Sequence, residues 1–294
     1  MDKLNSKINI FGASSCLGAQ DRDCEGGPQA LYALGLLRRL EDKGYVPQLH
    51  HLSEPLLAES SHKKLALIAD YCHELALGVR DSVNVNESFA VIGGDHSCAV
   101  GTWSGAATAV ADKGALGLIW VDAHMDSHTP FTSQSGAIHG MPLASLLGKG
   151  AVELTTILSP QAKLQGQYVC LIGVRSFEAE EQALLESFGV RIYSHDEVKE
   201  RGLAEVMAEA RAIVKQGTVA YGVSIDLDAI DPKDAPGVGS PEPDGLSSNA
   251  LIVELKRFKK DDAFLGIEIV ELNPVKDKLG RTSAIAMDLL LAVL

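Results

Sequence analysis

The sequence predicts a single three-layer α/β domain, with a mostly parallel central sheet of about eight strands and helices on both faces. Short apolar runs alternate with longer helical patterns over all 294 residues, as in chains built from strand–helix–strand units. Several of the short runs are apolar without interruption, which is typical of strands covered on both faces. No long linker interrupts the alternation, so we expect one domain over residues 1–294.

The strand candidates are short runs rich in Val, Ile, Leu, Phe and Tyr, which favour extended backbone. They span residues 7–11, 45–52, 88–93, 116–121, 168–173, 190–194, 219–225 and 263–270. Pro47 lies inside the second run and is expected to break it, because proline cannot donate a ladder hydrogen bond.

The helix candidates lie between these runs and carry apolar residues at helical spacing. They span residues 28–43, 60–80, 98–112, 141–149, 179–187, 196–216, 247–258 and 281–293. Segment 231–245 is rich in proline and glycine and is therefore a loop. Since it follows the seventh strand, it could form a wall of a cleft; an inert surface loop is the alternative.

Composition excludes some classes of function. The net charge of −13 argues against nucleic acid or an anionic membrane as the main partner. Five scattered cysteines lack the spacing of a zinc site and fit reduced thiols. The first residues lack the pattern of a signal peptide, and no apolar run reaches the roughly 20 residues of a membrane span. We expect a cytoplasmic protein.

Three polar segments follow predicted strands: GGDHS at 93–97, VDAHMDSHT at 121–129 and SIDLDAIDP at 224–232. Glu271 follows the last strand in the same way. Ligands of parallel sheets bind beyond the carboxyl ends of the strands, so these residues should meet at one edge. In extended chain, residues two and four apart share a side, which would make the polar side chains of each segment converge.

The converging side chains are four carboxylates and two imidazoles: His96, Asp122, His124, Asp126, Asp226 and Asp228. Four carboxylates cannot share a pocket unless cations neutralise them. Two divalent cations would match their charge, and oxygen and imidazole ligands favour Mn²⁺ over thiolate-seeking ions. A hydroxide held between two cations is a nucleophile, so the pattern predicts a two-metal hydrolytic site.

GGDHS, DAHMD and SIDLDAIDP resemble the metal-binding signatures of the arginase/agmatinase (ureohydrolase) family. The resemblance runs from EGGP at 25–28 to EIVELNP at 268–274, and SGAIHG at 135–140 is most similar to arginases. It implies two Mn²⁺ ions per subunit. One would be bound by His96, Asp122, Asp126 and Asp226, and the other by His124, Asp122, Asp226 and Asp228.

The resemblance also implies roles in the reaction. A metal-bridging hydroxide would attack the guanidinium carbon of the substrate, with Asp126 as a proton relay. His139 matches the histidine that gives a proton to the departing amine. Glu271 matches the carboxylate that binds the guanidinium. Without the family, His139 could be an ordinary exposed histidine, and Glu271 a surface residue.

Five further residues match positions that recognise the amino-acid end of the substrate. Ser133 and Ser135 lie where arginases place hydroxyls for the substrate carboxylate. Glu178 stands where arginases use aspartate for the α-amino group, and Glu181 is a second candidate. His128 replaces an asparagine that binds the carboxylate, which could signal a different guanidino acid. Each of the five could instead merely line the pocket.

The resemblance implies hydrolysis of L-arginine to L-ornithine and urea, by a homo-oligomer, either a trimer or a hexamer. The alternative is another ureohydrolase, acting on agmatine or a guanidino acid. A single-zinc deacetylase of similar fold would need fewer ligands. A non-catalytic metal-binding regulator would be expected to lose ligands. Dinucleotide binding is disfavoured, because FGASSCLG after the first strand has the wrong glycine spacing.

Overall fold

A computed structural model describes residues 6–53 and 61–294. Eight strands form one sheet in the order β2-β1-β3-β8-β7-β4-β5-β6, and all neighbouring pairs are parallel. The strands are β1 (Ser6–Ala13), β2 (Tyr45–Leu52), β3 (Ser88–Gly93), β4 (Ala115–Val121), β5 (Val169–Val174), β6 (Arg191–Ser194), β7 (Thr218–Asp226) and β8 (Phe264–Val270). The predicted fold class is confirmed.

The expectation that Pro47 breaks the second strand is wrong. Strand β2 is continuous, and Pro47 pairs in register with Ile8 of β1. Because β2 is at the edge of the sheet and has β1 as its one neighbour, a missing amide donor is tolerated there.

Eleven α-helices lie within the described residues. They are α1 (Gly27–Ala33), α2 (Leu36–Asp42), α3 (Ser61–Asn84), α4 (Ala99–Val110), α5 (Pro142–Leu146), α6 (Val152–Thr155), α7 (Ala179–Ser187), α8 (His195–Arg201), α9 (Leu203–Lys215), α10 (Ser248–Leu255) and α11 (Arg281–Val293). None of them is long and apolar enough to cross a bilayer. Residue 60, where one predicted helix begins, lies outside the described residues.

Two predicted helices are each divided in two, and one helix was missed. Gly35, with φ of 82°, separates α1 from α2, and Gly202, with φ of 84°, separates α8 from α9. This left-handed conformation costs glycine little and stops a right-handed helix. The missed helix, α6, is only four residues long.

The helices pack on both faces of the sheet and complete three layers. Along β1, Ile8 and Ile10 belong to a core cluster with α1, α2, α9, α10 and α11. Phe11 and Ala13 belong to a second cluster with α3, α4 and α5. Alternate residues of a strand face opposite sides, so the two clusters are the two faces of the sheet.

The strands that carry the polar segments are neighbours. Strands β3, β8, β7 and β4 are consecutive in the sheet, and they lead into His96, Glu271, Asp226 and Asp122, respectively. All four residues therefore leave the same edge at the middle of the sheet, where a shared site can form.

Candidate metal centre

His96 faces three aspartates at the floor of a cleft. Its Nδ1 atom lies 3.3 Å from Asp122 Oδ2, 3.0 Å from Asp126 Oδ2 and 3.2 Å from Asp226 Oδ2. All four residues are buried. His96 Nδ1 and Asp126 Oδ2 nevertheless have no hydrogen-bond partner in the described part of the chain, although buried polar atoms are normally satisfied. One imidazole nitrogen facing three carboxylate oxygens fits a set of ligands around a cation.

A second set lies beside the first and shares Asp122. His124 Nδ1 is 3.1 Å from Asp228 Oδ2 and 3.6 Å from Asp122 Oδ1. Asp122 thus turns one oxygen towards each histidine. The His96–Asp122–Asp226 group and the Asp122–His124–Asp228 group each have ligand atoms within 4.8 Å of one another. We call them the inner and the outer trio, respectively. Their nitrogen and oxygen atoms are ligand types suited to divalent metal ions.

The side chains converge by a different route from the extended chain that the sequence suggested. Strand β4 ends at Val121, and Asp126 has a left-handed φ of 47°. Asp226 ends β7, and Asp228 lies in a 3₁₀ turn whose amide donates to Asp226 Oδ1 at 2.8 Å. The amide of His124 donates to Asp122 Oδ1 at 2.7 Å. Tight turns, and not an extended pleat, aim the ligands.

Burial strengthens the repulsion between the aspartates at the floor. Burial raises the pKa of Asp226 well above its usual range, and Asp228 and Asp122 raise it further. Burial likewise raises the pKa of Asp126 to about 6, with a contribution from Asp122. Burial opposes the charging of His96, but the three facing aspartates outweigh it and raise its pKa. Like charges packed this closely are stable only with positive charge between them.

Two residues support the floor from behind. Asp95 is fully buried and accepts the amides of Gly18 at 2.7 Å, Ala19 at 3.1 Å and Ser97 at 2.9 Å, so it braces loops and does not join the ligands. Trp120 donates its indole N–H to Asp122 Oδ2 at 2.8 Å, and its ring stacks on His96 with centroids 4.2 Å apart.

Glu271 and His139 form a pair next to the floor. His139 Nδ1 lies 3.0 Å from Glu271 Oε1, which also accepts the amide of His96 at 3.1 Å. The Cys24 thiol donates to Glu271 Oε2 at 3.4 Å. Burial lowers the pKa of His139, but the Glu271 carboxylate outweighs burial and raises it to about 9. Glu271 has a φ of 64°, an uncommon value for a residue with a side chain.

The cleft above the floor has a volume of about 260 Å³. Twelve residues line it: His124, Asp126, His128, His139, Gly140, Ser176, Glu178, Glu181, Asp226, Asp228, Ser240 and Glu271. Ser133 is half-buried and Ser135 is exposed, and neither is among the lining residues. Their hydroxyls accept backbone amides of their own loop, from Gly136 at 3.0 Å and Ala137 at 3.1 Å.

The rim of the cleft is formed by three of the predicted substrate contacts. His128 Nε2 lies 3.0 Å from Glu178 Oε2 and 3.5 Å from Glu181 Oε2. The other ring nitrogen of His128 lies 3.1 Å from Thr132 Oγ1. Glu181 is buried and accepts the amides of Ser127 at 3.0 Å and Glu178 at 3.1 Å. These contacts hold His128 and both glutamates together.

Segment 231–245 forms a wall of the cleft. Glu242 Oε1 lies 3.4 Å from His124 Nε2, and Ser240 lines the cavity. Arg175 ties the wall to the floor by donating to the carbonyl oxygens of Asp228 at 2.7 Å and Glu242 at 3.1 Å. The inert-loop alternative does not fit these contacts.

The model of the Arginase family matches residues 6–294. The chain belongs to the arginase family. It is 36% identical to the arginase of Brevibacillus brevis over 99% of this chain and 98% of that protein. The crystal structure of the Bacillus caldovelox arginase matches with a TM-score of 0.91 and 35% identity, over 98% of each chain. A structure of Entamoeba histolytica arginase in complex with L-ornithine has a TM-score of 0.91 and 27% identity, over 99% of this chain and 98% of that chain.

Four residues around the site of this arginase-family chain were not predicted from its sequence: Trp120, Ser176, Ser240 and Glu242. Trp120 had a usable signal, because it lies two residues before Asp122 and therefore on the same side of an extended chain. Ser240 and Glu242 lie in segment 231–245, which was predicted as a possible wall without naming its contacting residues, and Ser176 lies in the loop after β5.

Proposed function

We propose that this chain hydrolyses the guanidinium group of L-arginine to give L-ornithine and urea. One observation carries the proposal: two histidine–aspartate trios share Asp122 and lie in the same cleft as the Glu271–His139 pair. Membership of the arginase family, a hydrolase family, supports it. The Entamoeba relative, whose structure contains the product L-ornithine, supports it further.

We infer that the trios hold two Mn²⁺ ions per subunit. The inner ion would be bound by His96, Asp122, Asp126 and Asp226, and the outer ion by His124, Asp122, Asp226 and Asp228. Bound Mn²⁺ would supply a hydroxide at neutral pH by lowering the pKa of water. The unpartnered His96 Nδ1 and Asp126 Oδ2 support this assignment, since a cation between them would satisfy both.

Glu271 is the proposed binding group for the guanidinium. A carboxylate has about four acceptor positions. In Glu271 three of these are taken, two on Oε1 by His96 N–H and His139 and one on Oε2 by Cys24. The remaining position on Oε2 can accept a guanidinium N–H in a charge-assisted hydrogen bond. The three fixed contacts orient that lone pair before the substrate arrives.

His139 and Asp126 are the proposed proton carriers. Glu271 holds the Nδ1 side of His139, which leaves Nε2 to exchange a proton with the departing amine. The pKa of His139, raised to about 9, keeps the ring protonated at neutral pH and ready to act as an acid. Asp126, whose pKa burial raises to about 6, can accept a proton close to the reacting centre.

The rim would recognise the amino-acid end of the substrate. Glu178 and Glu181 provide negative charge for the α-amino group, and His128 can donate to the carboxylate once it releases Glu178. Ser133 and Ser135 stay candidates for the carboxylate. Their loop adjoins His128 through Thr132, whose hydroxyl contacts both His128 and Thr129.

Agmatine or another guanidino compound is the second candidate substrate. No lysine or arginine is among the lining residues of the cleft, and its rim carries two glutamates. An acidic rim also suits a substrate that ends in an amine without a carboxylate. We further propose one domain over residues 1–294, a trimeric or hexameric assembly and a cytoplasmic location, on the strength of the family likeness.

The test is a substrate panel. The full chain, stripped of metal and reloaded with Mn²⁺, is offered arginine, agmatine and several guanidino acids while urea is measured. We expect the highest kcat/KM with L-arginine and no urea from the metal-free protein. A clear preference for agmatine would replace the first candidate with the second. Urea release by fully chelated protein would overturn the two-metal chemistry.

A further inference from the structure

A buried carboxylate lies behind the candidate metal centre and takes no part in the proposed reaction. Glu268 lies in β8 and is fully buried. Four side chains donate to it: Thr102 Oγ1 at 2.5 Å and Cys98 Sγ at 3.6 Å to Oε1, and Trp103 Nε1 at 3.0 Å and Ser224 Oγ at 2.6 Å to Oε2. Burying a carboxylate is costly unless donors satisfy it, and here each oxygen has two.

Ser224 connects Glu268 to His96. Ser224 and Glu268 are register partners in β7 and β8, and Ser224 lies two residues before Asp226, on the same face of its strand. The Ser224 hydroxyl uses its single proton on Glu268, so towards His96 Nε2, 3.0 Å away, it can only accept. His96 must then carry a proton on Nε2, so Nδ1 is the ring nitrogen that can bind a cation facing the aspartates.

We propose that Glu268 is a positioning residue for the inner cation, acting through Ser224 and His96. It fixes the tautomer of His96 that can bind a cation through Nδ1, and it places a further negative charge behind this ligand. The inference extends the proposed function and rests on it only in requiring that a cation binds the inner trio.

Within residues 6–53 and 61–294, the outer trio has no equivalent buried support. His124 Nε2 faces Glu242 Oε1 at 3.4 Å, and both side chains are more than a quarter exposed to solvent. Water can replace this contact, whereas no water reaches Ser224 or Glu268, both of which are fully buried. The two cations should therefore respond differently to changes at Glu268.

Two substitutions separate the charge from the connection. Glu268→Gln removes the charge but keeps an oxygen that Ser224 and Trp103 can donate to. The NH₂ group of the new side chain can face Thr102. The Thr102 hydroxyl can then donate to the Cys98 carbonyl oxygen, 3.4 Å away. Ser224→Ala keeps the charge and removes the connection. Each should weaken one of the two Mn²⁺ affinities about 10- to 100-fold, as is typical of groups behind a metal ligand, and should change the other less than about threefold.

The measurement is calorimetric titration of the full, metal-stripped chain with Mn²⁺ and without substrate. A failure of arginine hydrolysis therefore cannot be confused with a failure of this inference. Asp261→Asn is the matched control. The Asp261 side chain is 8% exposed and accepts Tyr221 at 2.9 Å and Lys215 at 2.7 Å, but Asp261 precedes β8, at the opposite edge of the sheet. This variant should lose stability and keep both affinities.

A second readout follows the Nε2 proton of His96. In ¹⁵N-histidine spectra of the metal-free protein, His96 should carry a proton on Nε2 that is hydrogen-bonded to Ser224, and Ser224→Ala should abolish this hydrogen bond. Ser224→Thr, which keeps a hydroxyl, should restore both the hydrogen bond and the affinity. If Glu268→Gln does not fold, the comparison of Ser224→Ala with Ser224→Thr tests the proposal. Equally weakened binding of both cations, unchanged affinities, or a His96 without a proton on Nε2 would overturn the proposal.

Discussion

The floor and the rim of the cleft are built in different ways. Floor residues such as Asp122 and Asp226 follow directly from neighbouring central strands and are buried. Rim residues lie in loops, and His128 is held there by Glu178 and Thr132. The sheet therefore determines the floor, whereas side-chain contacts determine the rim. Substitutions at the floor should abolish hydrolysis, and those at the rim should change the preference between substrates.

The largest effect is expected at the floor. Asp226→Asn removes one charge from between His96 and Asp228, so the remaining ligands cannot balance two divalent cations. We expect no measurable urea release and loss of at least one metal ion per chain, as determined by elemental analysis. The same is expected of Asp126→Asn. Activity like that of the unsubstituted protein in either variant would refute our ligand assignment.

Glu271→Gln should separate metal binding from substrate binding. It removes the negative charge opposite the guanidinium but none of the six proposed ligands. A lost charge-assisted hydrogen bond is worth about 1.5–3 kcal/mol, so kcat/KM for arginine should fall roughly 10- to 100-fold while two metal ions stay bound. Loss of metal together with activity would instead make Glu271 part of the floor's scaffold, through its contact with the His96 amide.

His128→Asn tests whether the rim tunes selectivity. The change frees Glu178 from its contact with the imidazole and should alter KM for arginine by about tenfold or less, since a single rim hydrogen bond contributes about 0.5–1.5 kcal/mol. The ratio of arginine to agmatine turnover should shift, while metal content should not. Glu178→Gln, which breaks the same contact from the other partner, is the matched variant. Metal loss in His128→Asn would place that side chain at the floor.

The smallest effect concerns a histidine outside both regions. Burial, with Arg175 and Lys199 nearby, lowers the pKa of His195, the first residue of α8. Below about pH 6.5 His195 takes up a proton in the unfolded chain but not in the folded chain. The free energy of unfolding therefore falls on acidification. His195→Gln should reduce the fall in Tm between pH 7.5 and pH 5.5 by about 1–2 °C. An identical fall in both proteins would contradict this.

The sequence predicted the floor better than the rim, for a physical reason. A polar residue that follows a buried strand has its position set by the sheet, so the convergence of the strand ends was foreseeable. The turns that aim Asp126 and Asp228 were not, because neither the positive φ of Asp126 nor the 3₁₀ turn that contains Asp228 has a clear signal in the sequence. Ser176, Ser240 and Glu242 reach the cleft on loops, and their placement depends on contacts such as those of Arg175.

The same distinction applies to the fold. Strand positions followed from apolar runs, but Pro47 was misjudged because the sequence does not say which strand lies at the edge of the sheet. The glycines at 35 and 202 were visible in the sequence, yet only their left-handed backbone shows that they end helices. The local sequence pattern predicts the strands and helices, and tertiary contacts determine where each of them begins and ends.

Trp120 lies where its fluorescence should respond to cation binding. The chain has two tryptophans; Trp120 stacks on His96 and bonds to Asp122, and Trp103 bonds to Glu268. Both indole rings thus report on groups around the inner trio. Intrinsic fluorescence should follow cation loading in real time, with no dye, label or substrate.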